Sequence, residues 1–479
     1  MRRPTVLREA MVATSHPLAT RAGVRALEEG GNAVDAVLAA AATLCVAEPG
    51  HTGIGGDLFA QVWWDGELLG LNGSGRSPVD LPELRVHAFG PRSVTVPGAV
   101  RAWADLAERF GRLGLDAALV GAIEAAERGV AATERVAESW AAIERAPWPA
   151  PRVGEAYALP DLARTLRLIQ RDGEAGFYAG EVAEAIAGSS WLAVEDLAAH
   201  RSEWVEPLRV RYRDVEVCEL PPNGQGAAAL IALGLADGLP DTLHSRIEAT
   251  KLALADVYGW VADGPLPAFL LDPEHLAARR ALVSSDQALD PQPSSPPRGG
   301  TTYLCAVDAD RNAVSLIQST YEHFGSGVVA AETGVVLQNR GACFVETEGH
   351  PNRIAPAKRP FHTIIPGMLL RDGVLLGPFG VMGGAMQAQG HVQLVHALLD
   401  RGLDPQRALD GPRFRVGAGK QVALEPGLWV EAPELRALGH ELELAESEHG
   451  FGVGQCILVE GEALIGGSDG RGDGHVSGL

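Results

Sequence analysis

The stretch from Ser284 to Gly300 constrains this 479-residue chain more than any other. Its prolines at 291, 293, 296 and 297 exclude helix and central strand, so 284–300 reads as an exposed, mobile linker. Ahead of it the apolar spacing is helical. Ala19, Ala22, Gly23, Ala26 and Leu27 share one helix face before Gly30-Gly31, and Ala33 to Val46 is apolar enough to be buried on most sides. Residues 101–200 are mostly helical in pattern, with a break from Ala146 to Val153, and Ile247 to Asp256 is helical again. Leu208 to Leu220 alternates as one strand would. Beyond the linker the pattern turns to strands, at Thr301–Asp308 and Ala313–Ser319, then a hairpin of Thr363–Leu370 with Val374–Leu376. A helix from Gln387 to Leu399 follows. Without regular strand–helix alternation, layers of helices and antiparallel strands are expected, not a doubly wound parallel sheet.

Charge and cysteines exclude several functions. Forty Lys+Arg against 61 Asp+Glu leave −21, a poor basis for binding a phosphate backbone, so nucleic acid is not an expected partner. Five scattered cysteines without a CxxC pair argue against a disulfide framework or zinc ribbon. The N-terminus lacks a signal-type apolar core and no apolar run reaches about 18 residues, so a soluble, cytoplasmic protein without a membrane partner is expected. His391 and His396 are five apart, the wrong spacing for a metal pair on one helix face. Gly53-Ile54-Gly55-Gly56-Asp57 reads as a tight loop packing backbone on backbone, not a phosphate loop. Neither metal nor organic cofactor is expected.

The junction Gly300-Thr301-Thr302 carries more chemistry. Were the Gly300–Thr301 bond cut, Thr301 would hold a nucleophilic hydroxyl and an α-amine of pKa about 7.7–8.0, able to act as its base. Taken alone, a hydroxyl residue opening a strand after a linker also suits plain turn chemistry. Gly383-Gly384, ahead of the Gln387 helix, is either a simple turn or a pair of backbone N–H donors for an oxyanion.

A series of motifs in fixed order then identifies a family. They include Met11-Val12-Ala13-Thr14-Ser15-His16-Pro17, Gly30-Gly31-Asn32-Ala33-Val34-Asp35-Ala36, Val96-Pro97-Gly98 and Gly176-Phe177-Tyr178-Ala179-Gly180. They continue with Thr301-Thr302-Tyr303, Asn312-Ala313-Val314-Ser315, Phe324-Gly325-Ser326-Gly327, Gly383-Gly384 and Asp410-Gly411-Pro412-Arg413-Phe414. The sequence resembles the γ-glutamyltransferases, N-terminal-nucleophile hydrolases made as one chain and self-cleaved into two subunits. The resemblance implies an α+β, four-layer αββα sandwich and a cut between Gly300 and Thr301. A large subunit of 1–300 and a small subunit of 301–479 would remain associated. It makes Thr301 the nucleophile and Gly383 and Gly384 the oxyanion donors. Ser319 takes the position of a hydroxyl residue near the nucleophile's amine, and Thr363 one of two consecutive serines beside the substrate.

Other positions depart from the family. The family Arg that holds the substrate α-carboxylate falls on Ser74, two residues before Arg76, and the acid that holds the α-amine falls on Cys343. An Asn holding the same group becomes Tyr321, and the first paired serine becomes His362. Arg340 either binds a carboxylate from another side or forms a structural ion pair. His362 is a substrate contact or a capped loop histidine, Tyr321 a pocket wall, and Cys343 a small buried filler. This pattern is similar to the branch containing cephalosporin acylases. The resemblance implies acyl transfer from a small amide to water or an amine, with a γ-glutamyl compound such as glutathione as substrate. The alternatives are a non-glutamyl acylase and a catalytically silent binding homologue.

Overall fold

The computed structural model describes residues 2–291 and 300–479. Residues 292–299, about half of the expected mobile linker, lie outside the described residues. Two seven-stranded sheets form the centre, and each takes strands from both sides of the linker. The first runs in the order His475–Gly478, Met11–Thr14, Gly300–Val307, Ala313–Tyr321, Asp57–Trp64, Glu67–Asn72, Glu203–Val205. The second runs Thr5–Leu7, Ala463–Ser468, Val453–Glu460, Val374–Met382, Gly367–Arg371, Val215–Glu219, Leu208–Tyr212. This is an α+β arrangement, and all neighbours in both sheets are antiparallel.

The strand Gly300–Val307 shows how the chain is buried. Its residues alternate between two cores, Tyr303, Cys305 and Val307 on one face and Leu304 and Ala306 on the other. Tyr303, Met11, Phe59, Ile317, Met368 and Ile457 fill the space between the sheets. Leu304 and Leu316 meet the helices Ala33–Ala47 and Ala99–Phe110. The far side of the second sheet, through Val217, Leu369 and Val381, packs on Gly226–Ala236, Leu243–Trp260 and Met386–Leu399. Every residue of Ala33–Ala47 is buried, as its composition predicts. Asn32 fixes its start: Asn32 Oδ1 accepts from Val34 N and Asp35 N, and the Asp35 carboxylate accepts from Asn32 N.

The structure corrects two local expectations and adds strands that sequence alternation does not show. Leu208–Leu220 is a hairpin, turning at Arg213 with φ +58°. The later hairpin pairs Gly367–Arg371 with Val374–Met382, so the second strand runs to the Gly-Gly turn and passes through Pro378. Pro378 is tolerated because pairing with Val453–Glu460 begins only at Phe379, beside an irregular register at Leu369 and Leu370. The strands Met11–Thr14 and Asp57–Trp64 carry no polar alternation, because both their faces are buried.

Candidate active site

Thr301 is the second residue of the strand Gly300–Val307 and is 2% exposed. Register against Ala313–Tyr321 shifts between Gly300 and Thr302, an irregularity that takes Thr301 out of the even ladder and re-aims its side chain. The Thr301 hydroxyl donates to the Gly300 carbonyl oxygen at 2.7 Å, and the Ser319 hydroxyl donates to the same oxygen at 2.6 Å. Thr301 Oγ1 and Ser319 Oγ are 3.3 Å apart, and Gln387 Nε2 donates to Thr301 Oγ1 at 3.3 Å. Gln387 is held in turn by Ile365 N donating to its Oε1. A Cβ on Gly300 would stand 3.2 Å from the His323 ring, a tight fit that accounts for glycine there.

Gly383 and Gly384 form the turn between Val374–Met382 and the helix Met386–Leu399, with φ of +132° and +62°. Among the described residues neither N–H has a hydrogen-bond acceptor. Gly300, Thr301 and Gly383 line a cleft of about 1030 Å³ together with His51, Arg135, Arg145, His323 and Arg415. Burial pushes the His323 imidazole down to about 4, helped by the Arg145 and Arg135 charges. Its ring meets His51 edge-on at 4.7 Å.

The expected substrate residues divide into two groups. Arg340, Tyr321, Thr363 and Cys343 come together beside Ser319. Arg340 is fully buried and lies over the Tyr321 ring at 4.4 Å. Its Nη1 donates to Thr363 Oγ1 at 2.9 Å and approaches Cys343 Sγ at 3.8 Å, while Nη2 reaches Ser319 Oγ at 3.5 Å. The structural ion pair considered for Arg340 is absent: among the described residues no carboxylate bonds to it, and its Nε has no partner. Tyr321 holds a left-handed φ of +77°, with its N–H donating to Ser319 Oγ. Cys343 is partly exposed, not a fully buried filler, and desolvation raises its thiol pKa.

His362 and Ser74 are bonded into the supporting frame, and for His362 the geometry favours the capped-loop alternative. His362 Nε2 is 3.0 Å from Asp57 Oδ2, and His362 Nδ1 accepts from Ile364 N, so both ring nitrogens are engaged. Burial and the Arg340 charge lower the His362 pKa to about 4 and keep it neutral. Asp57 Oδ1 accepts from Gly75 N, Gly98 N and Gln338 Nε2. Ser74 Oγ donates to Asn72 and Asn223, and Arg76 pairs with Asp263 and Glu203. Sequence reasoning passed over Asp57 at the end of a glycine loop. That loop is as tight as expected, since a Cβ on Gly55 would lie 2.1 Å from Val336 O and one on Gly56 2.3 Å from Ser319 O. Gln387 and His323 were also passed over, because a lone Gln on a helix or a lone His in a loop has no distinguishing sequence pattern.

His244, Glu248 and His440 place ligand-type atoms within 4.8 Å of one another. A cation already sits on this group: Lys251 Nζ donates to Glu248 Oε1 at 2.9 Å, to His440 Nδ1 at 3.3 Å and to Leu289 O at 3.2 Å. With three donors on three acceptors, Lys251 does the work a metal would do there. No helix among the described residues is long and apolar enough to cross a membrane.

Comparison with known proteins agrees with this geometry. The gamma-glutamyltranspeptidase family model matches residues 19–479. A cephalosporin acylase structure from Bacillus halodurans superposes with a TM-score of 0.94 at 42% identity, covering 100% of this chain and 97% of that one. A glutathione hydrolase-like proenzyme of Bacillus subtilis is 34% identical over 98% of both chains. An oxamate amidohydrolase proenzyme of Klebsiella pneumoniae is 33% identical, again over 98% of both. With the hydroxyl-bearing strand start, the glycine turn and nearly the whole length all accounted for, the chain belongs to the gamma-glutamyltranspeptidase family.

Proposed function

We propose that this protein is a self-processing hydrolase that acts on small amides through an acyl ester of Thr301. The contact that carries the reading is the 2.7 Å approach of the Thr301 hydroxyl to the Gly300 carbonyl oxygen. For self-cleavage, Thr301 Oγ adds to the Gly300 carbonyl carbon and the Gly300–Thr301 C–N bond breaks, moving the acyl group from nitrogen to oxygen. Water then hydrolyses that ester. Gly300 leaves as a carboxylate at the end of subunit 1–300, and Thr301 gains a free amine at the start of subunit 301–479. The relatives named as proenzymes support this processing.

In turnover the free amine takes the Thr301 hydroxyl proton as the oxygen attacks the substrate carbonyl. The N–H groups of Gly383 and Gly384 stabilise the oxyanion, and the amine returns the proton to the departing nitrogen. Water, or an amine acceptor, releases the acyl group. The two sheets with helices packed against them support reading the fold as a four-layer αββα sandwich of N-terminal-nucleophile type, cut into two interwoven subunits.

A γ-glutamyl group such as that of glutathione is one candidate acyl group, in keeping with the glutathione hydrolase-like relative. A non-glutamyl acyl group is the second, and Cys343 favours it, since it offers no carboxylate to hold an α-ammonium. Gel electrophoresis with N-terminal sequencing of the smaller fragment tests the processing, and ammonia or amine release from amides tests the turnover. A purified chain that stays whole and inert would overturn the proposal.

A further inference from the structure

We infer that Arg340 is the residue that selects the acyl group, and that the acyl group is a short one ending in a carboxylate, without an α-ammonium. The inference rests on the acyl-transfer reading of Thr301 and deepens it.

Arg340 is a fully buried guanidinium with no carboxylate partner among the described residues, and its Nε–H is unpaired. Burying a charge without a counter-charge is costly unless something supplies one. The surroundings do not: Tyr321 offers a ring face, Thr363 and Ser319 hydroxyls, and Cys343 a thiol held protonated by desolvation. Asp57 accepts from Gly75, Gly98, Gln338 and His362, not from Arg340. A guanidinium presents paired N–H groups matched to a carboxylate, so an anionic ligand completes this site.

Ser319 fixes how long that ligand is. Its hydroxyl lies 3.5 Å from Arg340 Nη2 and 3.3 Å from Thr301 Oγ1. The guanidinium is therefore no more than about 7 Å from the nucleophile, a span that one hydrogen bond and one attack distance largely fill. What remains admits only the shortest diacid monoamides, of about two or three carbons, and disfavours longer ones such as glutaramate. Among the described residues the groups bonded to Arg340 carry no negative charge to balance an ammonium, and the Glu322 carboxylate, whose charge reaches Tyr321 and Cys343, is paired with Arg145. In the uncut chain the Ser319 hydroxyl is bonded to the Gly300 carbonyl. Self-cleavage removes that carbonyl and opens the path from the cleft to Arg340.

The processed enzyme is assayed for ammonia release on oxamate, malonamate, succinamate and glutaramate, beside glutamine and neutral amides of matched length. A preference for the short anionic amides of about 100-fold or more in kcat/KM over both the neutral amides and glutamine is expected. Arg340→Gln should remove that preference mainly through KM, with Arg340→Lys intermediate. Free malonate should compete for the wild-type site where acetamide does not, a measurement that needs no variant. Equal use of charged and neutral amides, or a preference for glutamine, overturns the inference and leaves the Thr301 reading standing. A chain that is uncut and inert on all amides overturns both.

Discussion

Ser319 donates its hydroxyl to the carbonyl oxygen of Gly300 across 2.6 Å, from the strand next to the one that Gly300 begins. The same oxygen accepts from Thr301 Oγ1, so two hydroxyls converge on the carbonyl that the proposed self-cleavage attacks. Ser319→Ala removes one of them. Losing a hydrogen bond to a developing oxyanion costs about 1.5–3 kcal/mol, or roughly a 10- to 100-fold slower cut. Following fragment appearance on gels after synthesis checks this. A variant that matures at the wild-type rate would remove Ser319 from the mechanism, whereas Thr301→Ala should remain one chain indefinitely.

The glycine turn gives a second expectation. Gly384 sits at φ +62°, where an added side chain costs about 1–2 kcal/mol, and the turn must also aim its N–H groups. Gly384→Ala should lower kcat by about 100-fold with a smaller change in KM, since oxyanion donors act most in the transition state. Steady-state kinetics on the processed variant decides it, and an unchanged kcat would point to a plain turn.

The buried group formed by Lys251, Glu248, His244 and His440 makes a prediction about assembly. His440 follows the proposed cut and the other three precede it, so the cluster joins the two subunits. His244 Nε2 also bonds to Ser284 O, and Glu248 Oε2 accepts from Leu289 N, tying down the approach to the linker. Removing one partner of a buried ion pair costs about 3–5 kcal/mol, so Lys251→Met should be strongly destabilised. Glu248→Leu added to Lys251→Met should recover much of the loss. Thermal denaturation of both variants checks this, and additive losses would contradict it.

Acid should loosen the protein. Burial lowers the pKa of His323 and of His362 to about 4, against an unfolded value of 6.5. On acidification the unfolded chain takes up these protons first. The stability they contribute is fully present above pH 6.5 and lost as pH falls towards 4. Melting temperature measured from pH 8 to pH 4 should drop across that window, with a shallower drop in His323→Asn. An equal slope in wild type and variant would exclude His323 as a source.

Glu48 acts in the opposite sense. Burial raises its pKa to about 7 from 4.5, outweighing the Arg135 charge and the Ser15 hydroxyl. The folded chain then holds this proton after the unfolded chain has released it, so stability falls as pH rises from 4.5 to 7. Glu48→Gln should remove that part of the slope, and a variant with the wild-type slope over this window would refute it.

The site was legible in the sequence where its chemistry is local. A hydroxyl residue directly after a proline- and glycine-rich stretch, and two glycines ahead of a helix, are patterns along the chain. Thr301, Ser319, Gly383 and Arg340 were picked out from motifs and their order, and the structure brings Thr301, Ser319 and Arg340 into one connected group. The surroundings of His362 and Ser74 are not legible in the sequence, because sequence position says nothing about whether a ring or hydroxyl faces a ligand or a buried acid. Asp57, 305 residues from His362, could not have been paired with it by any spacing rule.

The sequence by itself determined the family and the layered mixture of helices and antiparallel strands, and it marked Thr301 as the proposed nucleophile. Those features depend on periodicity, turn residues and ordered motifs, which are properties of neighbouring positions. Only the tertiary structure decided that both sheets would draw strands from both sides of the linker. It alone shows Arg340 buried with no carboxylate bonded to it among the described residues, 3.5 Å from the Ser319 hydroxyl that also meets Thr301. Burial and charge balance arise from residues distant along the chain, so they exist only once the sheets have closed on each other.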